Sequence, residues 1–491
     1  MRHISYTYHV PLIAHHSPRP KRSSLLMSNT ELLSPAGTLK TMRYAFAYGA
    51  DAVYAGQPRY SLRVRNNEFN KLENLEAGIN MAHEQGKQFY LATNLAPHND
   101  KIRSFIRDME PIIAMGPDAL IMSDPGLIMM VRERWPDQEV HLSVQANAVN
   151  WATVKFWHNQ GLQRVILSRE LSLDEIGDIK QHVPEMELEV FVHGALCIAY
   201  SGRCLLSGYM THRDSNQGAC TNSCRWKYDT HEAKETPEGD IIPIEHIKAK
   251  NVEQWQPGQH SSDQPENTET KETTPLQDRI FLLQEEGRPG EYLPAYEDEH
   301  GTYIMNSKDL RAIQHVHKLI AMGVDSLKIE GRTKSHFYTA RTAQIYKQAI
   351  TDAKAGKTFD MHLMDQLEGL ANRGYTEGFY RRHLPEEYQN YEDGCSKVAT
   401  QQFVGEIMDV NTSTGLMDIE VKNRFMTGDE LELMLPQGNL TFNLDSIESM
   451  KNGESMDVAP GSGHFVRIPV PENCDPNAIG EFAMIMRNRK L

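Results

Sequence analysis

Four of the six cysteines in this 491-residue chain fall within one short stretch, spaced Cys197-x6-Cys204-x15-Cys220-x3-Cys224. Six are too few for a disulfide scaffold in a chain this long, and their clustering suggests a metal centre in a reducing compartment. Thiolates are soft donors that suit an iron-sulfur cluster, zinc or copper(I), and four of them satisfy a tetrahedral ion or a cubane equally well. Structural zinc uses two tight knuckles. Only the Cys220 to Cys224 pair has that spacing, so the wide first interval favours a larger cluster. The competing reading is four reduced thiols packed as small hydrophobes. Their neighbours Ser201, Gly202, Arg203, Gln217, Gly218, Thr221 and Asn222 have loop rather than core composition, which favours ligation. Cys395 and Cys474 stand alone and are read as packing residues.

Positioning such a centre requires a scaffold, and the scaffold is legible as β-type runs alternating with helical ones between residues 31 and 330. Eight runs are expected: Glu31 to Leu33, Ala52 to Tyr54, Gln88 to Thr93, Ala119 to Met122, Val140 to Val144, Arg164 to Leu167, Leu188 to Val192 and Ser326 to Ile329. Several preceding helices end in a repeated turn, Tyr48-Gly49-Ala50-Asp51, Met115-Gly116-Pro117-Asp118 and Met322-Gly323-Val324-Asp325, where glycine supplies the helix stop. The expected class is α/β, a TIM-like (β/α)8 barrel over residues 29–358. The loops after such strands form the active face. Those ends carry Asn94, Asp124, Gln145, Asn147, Arg169, His193, Glu330 and Arg332, and Cys197 follows five residues after the seventh run.

An acidic insertion at 229–300 interrupts the seventh unit, and its Gln256 to Gln277 stretch is so poor in apolar residues that part of it is expected to be mobile. It holds 18 acidic and 6 basic residues, so most of the formal charge of −15 lies there and the remainder of the chain is nearly neutral. A phosphate backbone is therefore not repelled by the whole surface, though no basic arm announces one. A helical linker is expected at 359–399. Short alternating strands from 400 to 491 read as a small C-terminal β-barrel domain. Residues 1–28 carry Arg2, Arg19, Lys21 and Arg22 with no acid and no cleavage site. They read as an unstructured extension ahead of a start at Met27, although a transit peptide has similar composition. No apolar run is long enough to span a bilayer, so a cytoplasmic protein with no membrane partner is expected.

The run Glu189-x-Phe191-x-His193-Gly194-Ala195-Leu196-Cys197-x4-Gly202-x-Cys204-x2-Ser207 resembles the signature of the collagenase-like peptidase family. Leu32-Leu33-Ser34-Pro35-Ala36-Gly37, Ser143-Val144-Gln145-Ala146-Asn147 and Lys328-Ile329-Glu330-Gly331-Arg332 extend the similarity to nearly the whole chain, and place it with the branch of that family that modifies tRNA. The resemblance implies prephenate-dependent 5-hydroxylation of the wobble uridine, the first step to 5-carboxymethoxyuridine. It also implies a 4Fe-4S cluster on Cys197, Cys204 and Cys220. In some relatives the fourth ligand lies further along the insertion, where this chain has no cysteine, and Cys224 is the substitute.

Chemistry at C5 of a wobble base needs an unstacked base in a pocket, which the tRNA anticodon loop offers at little cost. Asn94, Gln145 and Asn147 are candidates for the uracil edge, against the alternative that such amides satisfy neighbouring loop backbone. Arg169, Arg203 and Arg332 are candidates for the carboxylates of prephenate or for a phosphate. The alternative for them is pairing with Glu170 or Glu330. His193 is a candidate for proton transfer, Gln145 and Glu330 are further catalytic candidates, and Asp124 reads as a helix cap.

Two rivals remain. A peptidase is suggested by the family name, but the chain has neither a His-Glu-x-x-His helix nor a Gly-x-Ser-x-Gly elbow. The family's other branches act on ribosomal RNA or in oxygen-independent ubiquinone hydroxylation. A non-catalytic carrier would use the β domain as an RNA clamp, yet Phe403, Phe425, Phe442 and Phe465 are spaced as core residues would be.

Overall fold

In a computed structural model, residues 30–195, 309–381 and 401–488 are described, with breaks at 58, 62–66, 96, 333 and 371–373. Between 196 and 308 only the backbone of short strands is described. The eight expected strands are all present: β1 Glu31–Pro35, β2 Ala52–Gly56, β3 Gln88–Ala92, β4 Ala119–Met122, β5 Val140–Leu142, β6 Arg164–Ile166, β7 Glu187–Ala195 and β8 Ser326–Ile329. They pair in parallel and in order. β8 closes the barrel by pairing with both β1, Glu31 opposite Ser326, and β7, Glu189 opposite Ser326.

The helices are α1 Leu39–Ala47, α2 Leu72–Glu84, α3 Asn99–Ala114, α4 Pro125–Arg134, α5 Trp151–Asn159, α6 Leu173–His182, α7 Val316–Ala321, α8 His336–Lys354 and α9 His362–Glu368. Side-chain caps start several of them, among them Asp124 on α4 as expected, and Ser172 with Glu175 in a capping box on α6. In the repeated turn, Gly49, Gly116 and Gly323 take left-handed φ of 104°, 77° and 83°. The aspartate that follows each glycine has its own task. Asp51 accepts from Leu32 N at 2.9 Å, Asp118 from Phe89 N at 2.7 Å and Asp325 from Leu188 N at 2.9 Å. Each turn thereby ties the strand it introduces to the foot of the strand before it.

The insertion contains regular structure that the sequence reading did not anticipate. Tyr228–Glu235, Ile241–Pro243, Arg279–Glu285, Tyr292–Asp298 and Gly301–Ile304 form a five-stranded antiparallel sheet. The Gln256 to Gln277 stretch lies outside the described residues, as does the 1–28 extension. After the insertion, Asp309–Arg311 returns antiparallel against the last three residues of β7. Of the expected linker, α9 and a short strand Tyr375–Thr376 are described.

The C-terminal β domain is an eight-stranded antiparallel sheet curled around its own core of Val404, Ile419, Phe425, Leu433, Ile468 and neighbours. Its strands include β9 Gln401–Asn411, β10 Leu416–Val421, β11 Glu430–Leu435, β12 Phe465–Pro469 and β13 Met484–Asn488. It packs on α1 and α8. Met434, Met484 and Met486 join the barrel's core cluster, Phe403 stacks on Phe337 at 5.2 Å, and buried Arg341 reaches Glu432 at 2.7 Å. Of the four phenylalanines expected in a core, Phe425 is fully buried. Phe403 and Phe442 are partly buried, whereas Phe465 is half exposed and is not a core residue.

Candidate active site at the barrel mouth

Most TIM-type barrels fill their interior with branched apolar side chains; this one carries charge through its full depth. At the floor Arg164 bridges Glu31 at 2.8 Å, Glu187 at 2.9 Å and Glu189 at 3.3 Å. One layer up, Lys328 meets Glu189 at 2.7 Å and lies 4.3 Å from the Tyr54 ring centroid. Burial would raise Glu189, but Lys328 and Arg164 outweigh it and hold the carboxyl below its usual range. Burial pulls Lys328 below the usual lysine range against the attraction of Glu189.

Above that layer the mouth has two arcs. On the β6–β8 arc Arg169 pairs with Glu330 and covers the Phe191 ring at 3.9 Å, while Arg332 donates to Ser61 Oγ at 3.2 Å and lies 5.7 Å from the Tyr54 ring. Thus Arg169, Lys328 and Arg332 converge on two aromatic rings with Glu189 and Glu330 between them. The expected Arg169–Glu330 pairing is present, and Glu170 accepts from Ser168 Oγ. On the β3–β5 arc Asn94 Nδ2 reaches Ser143 Oγ at 3.5 Å, and Ser143 reaches Gln145 Oε1 at 3.5 Å. Asn147 donates to the Gln145 carbonyl at 3.1 Å from a left-handed backbone, φ 54° and ψ 47°, in the one non-glycine residue with positive φ among those described. Asparagine tolerates that conformation best among residues with a side chain. The three amides expected at the mouth are together there, each half-buried.

His193 is not with them. Strand alternation from Glu189 and Phe191 would send it inward, but the β7–β8 register shifts between Lys328 and Ile329, which pairs His193 with outward-facing Ile329. The bulge reverses the phase. The imidazole is buried against α8 and the returning segment, its ring 5.6 Å from Tyr346, 5.8 Å from Tyr338 and 5.5 Å from Tyr375. Burial first, then Arg311 and Lys334, push its pKa down to about 3, so it is neutral at physiological pH and is not a proton donor for the mouth. Gly194 follows with φ 108°, and a Cβ there would sit 2.6 Å from the Glu330 carbonyl oxygen. That close approach locks the end of β7 onto the end of β8 directly before the cysteine loop.

Cys197, Cys220 and Cys224 lie outside the described residues. Cys204 is described as backbone only, in a two-residue strand Arg203–Cys204 paired with Ala199–Tyr200. Lys328, Tyr54 and Phe191 were not singled out from sequence. The signal available was the inward alternation Ser326, Lys328, Glu330 along β8, polar at every inward position.

A family model described as peptidase family U32 matches residues 37–390, and one described as the peptidase family U32 C-terminal domain matches 399–480. The chain belongs to the U32 family. Its U32 relatives include tRNA hydroxylation protein P of Escherichia coli K12, 61% identical over 94% of this chain and 97% of that protein. Another is tRNA hydroxylation protein P1 of Bacillus subtilis 168, 32% identical over 92% of this chain and 94% of that protein. A more distant one is the 23S rRNA 5-hydroxycytidine C2501 synthase of Escherichia coli K12, 27% identical over 91% of this chain and 60% of that protein. Among the described residues no group of three or more His, Cys, Asp and Glu could hold a metal ion.

Proposed function

We propose that this protein hydroxylates C5 of the tRNA wobble uridine, with prephenate as co-substrate and a 4Fe-4S cluster on Cys197, Cys204, Cys220 and Cys224, in the cytoplasm. The observation that carries the reading is the near full-length identity of 61% to a protein named for tRNA hydroxylation. The mouth supports it, because its two arcs suit two different ligands.

On the amide arc, Asn94, Gln145 and Asn147 offer both donors and acceptors to the edge of a base extruded from an anticodon loop. On the cationic arc, Arg169 and Arg332 present planar forks to carboxylates, with Lys328 below them. Glu330 holds the Arg169 fork in place over Phe191 until an anionic ligand competes for it. Arg203, next to Cys204 in sequence, is offered as a further anion-binding group on its residue type alone, its side chain lying outside the described residues. When bound, the cluster supplies electron-transfer capacity at the mouth. No proton step is assigned to His193, whose part is to position the end of β7 beneath the cysteine loop.

The test is mass spectrometry of tRNA nucleosides from a deletion strain complemented with this chain or with Cys197→Ala. Restored wobble hydroxylation by the native chain alone supports the pathway and the cysteine loop. Equal restoration by both removes the cluster from the reading, and restoration by neither refutes it.

A further inference from the structure

On the amide arc a single buried hydroxyl joins two amides that come from different strands. Ser143, 2% exposed and directly after β5, accepts from Asn94 Nδ2 at 3.5 Å and reaches Gln145 Oε1 at 3.5 Å. A hydroxyl carries one proton, so a serine that accepts from Asn94 donates that proton to Gln145. The relay therefore has a direction, from the Asn94 N–H through the Ser143 O–H to the Gln145 carbonyl. Both contacts are long, and their order is kept by backbone anchors around them. Ser143 N donates to the Met122 carbonyl at 2.7 Å, Ser123 Oγ donates to the Asn94 carbonyl at 3.1 Å, and Asn147 Nδ2 donates to the Gln145 carbonyl at 3.1 Å.

An amide whose oxygen faces one neighbour turns its NH2 group the other way. Gln145 is half-buried, so with Oε1 held by Ser143 the end it presents to a ligand is Nε2, a donor. Uracil and cytosine differ where such a donor would meet them. At position 4 uracil has an oxygen acceptor and cytosine an amino donor. A fixed N–H pairs with the first and opposes the second donor to donor, which leaves both N–H groups unsatisfied. Position 4 also adjoins C5, so the group that reads it stands beside the carbon to be hydroxylated.

We propose that Gln145 Nε2 donates to O4 of the base, and that Ser143 is the positioning residue that fixes this orientation, so that the mouth accepts uracil and rejects cytosine. The inference rests on the tRNA reading above, with the amide arc as the base site. Without the Ser143 hydroxyl the Gln145 amide can turn over and offer Oε1 to a cytosine amino group. The relay, rather than the presence of an amide, sets the base specificity.

The test is equilibrium binding of two anticodon stem-loops, identical except for uridine or cytidine at the wobble position, to the full-length, anaerobically purified protein. The native chain is expected to prefer uridine about five- to hundredfold, the range set by leaving one buried donor unpaired. Ser143→Ala is expected to shrink the preference to within about threefold, because either face of the Gln145 amide then becomes available. Gln145→Glu, whose carboxylate presents acceptors only, is expected to reverse it. A merely structural role would lower both affinities together and leave their ratio unchanged. A native chain that binds both loops alike or neither, or a uridine preference retained in both variants, overturns the base-reading relay. Restored wobble hydroxylation in the complemented deletion strain would then leave the tRNA reading intact, whereas failure to restore it overturns both.

Discussion

Glu189 offers a direct test of whether the charged barrel interior is a linked network. It is fully buried and meets Lys328 at 2.7 Å and Arg164 at 3.3 Å. Glu189→Gln keeps the shape and removes the charge. Arg164 retains Glu31 and Glu187, so its charge stays compensated. Lys328 keeps the Tyr54 ring 4.3 Å away, the Phe191 ring 5.5 Å away and the more distant charge of Glu330. Breaking a buried pair by deleting one partner costs about 3–5 kcal/mol. The retained cation–π contact, worth roughly 0.5–2 kcal/mol, places the expected loss near the bottom of that range, about 3 kcal/mol. Glu189→Leu with Lys328→Met removes both charges and is expected to recover most of the loss, because an apolar pair of similar volume is close to neutral. Urea unfolding followed by tryptophan emission reports mainly on the barrel, since three of the five tryptophans, Trp135, Trp151 and Trp157, lie along its helices, Trp226 and Trp255 fall between β7 and β8, and residues 401–491 contain none. A Glu189→Gln variant within about 1 kcal/mol of the native protein, or a double variant as unstable as the sum of its singles, refutes the network.

Three further outcomes follow from the same structure. Gly194→Ala is expected to lose activity and at least about 2 kcal/mol of stability, because it combines a left-handed backbone with a 2.6 Å approach to the Glu330 carbonyl; a native-like melting curve and turnover would contradict this. His193 has its pKa held down to about 3 in the fold, so the unfolded chain binds the proton first. Its contribution to stability is complete above about pH 6.5 and falls by up to about 1.4 kcal/mol per pH unit below it. His193→Gln should flatten that acid dependence without removing a neutral-pH limb from the activity profile, and loss of such a limb would restore His193 as a proton carrier. Although burial opposes it, His336 and Lys40 hold Glu406 down to about 2, so its tie between the β domain and α1 and α8 is complete above about pH 4.5 and is lost as pH falls towards 2. Glu406→Gln at neutral pH should raise amide exchange across β9 by the equivalent of about 1 kcal/mol, whereas unchanged exchange would assign the interface to its other contacts, the methionines, Phe403 and the Arg341–Glu432 pair among them.

The barrel was legible because its eight strands are short apolar runs, three of them introduced by a Gly-x-Asp turn, and those three aspartates prove to be residues that register one strand against the next. The amides at Asn94, Gln145 and Asn147 were legible for a related reason: residues just past a parallel strand must lie on one rim, whatever the packing below. Two features were hidden because they depend on partners distant in sequence. His193 follows Phe191 at the spacing of an inward residue, and a single extra residue in β7 turns it outward under α8, 153 residues away along the chain to Tyr346. The pairing of Glu189 with Lys328 spans 139 positions. Alternation assigns each of these residues a face, but not whether that face meets apolar groups or an opposite charge. The same limit explains Phe465, which has the period of a core strand but sits at the strand's first position, beyond the edge of the core. A pattern that fixes phase along one strand is blind to where the neighbouring strand ends, and in this protein both the displaced histidine and the exposed ring lie at such ends.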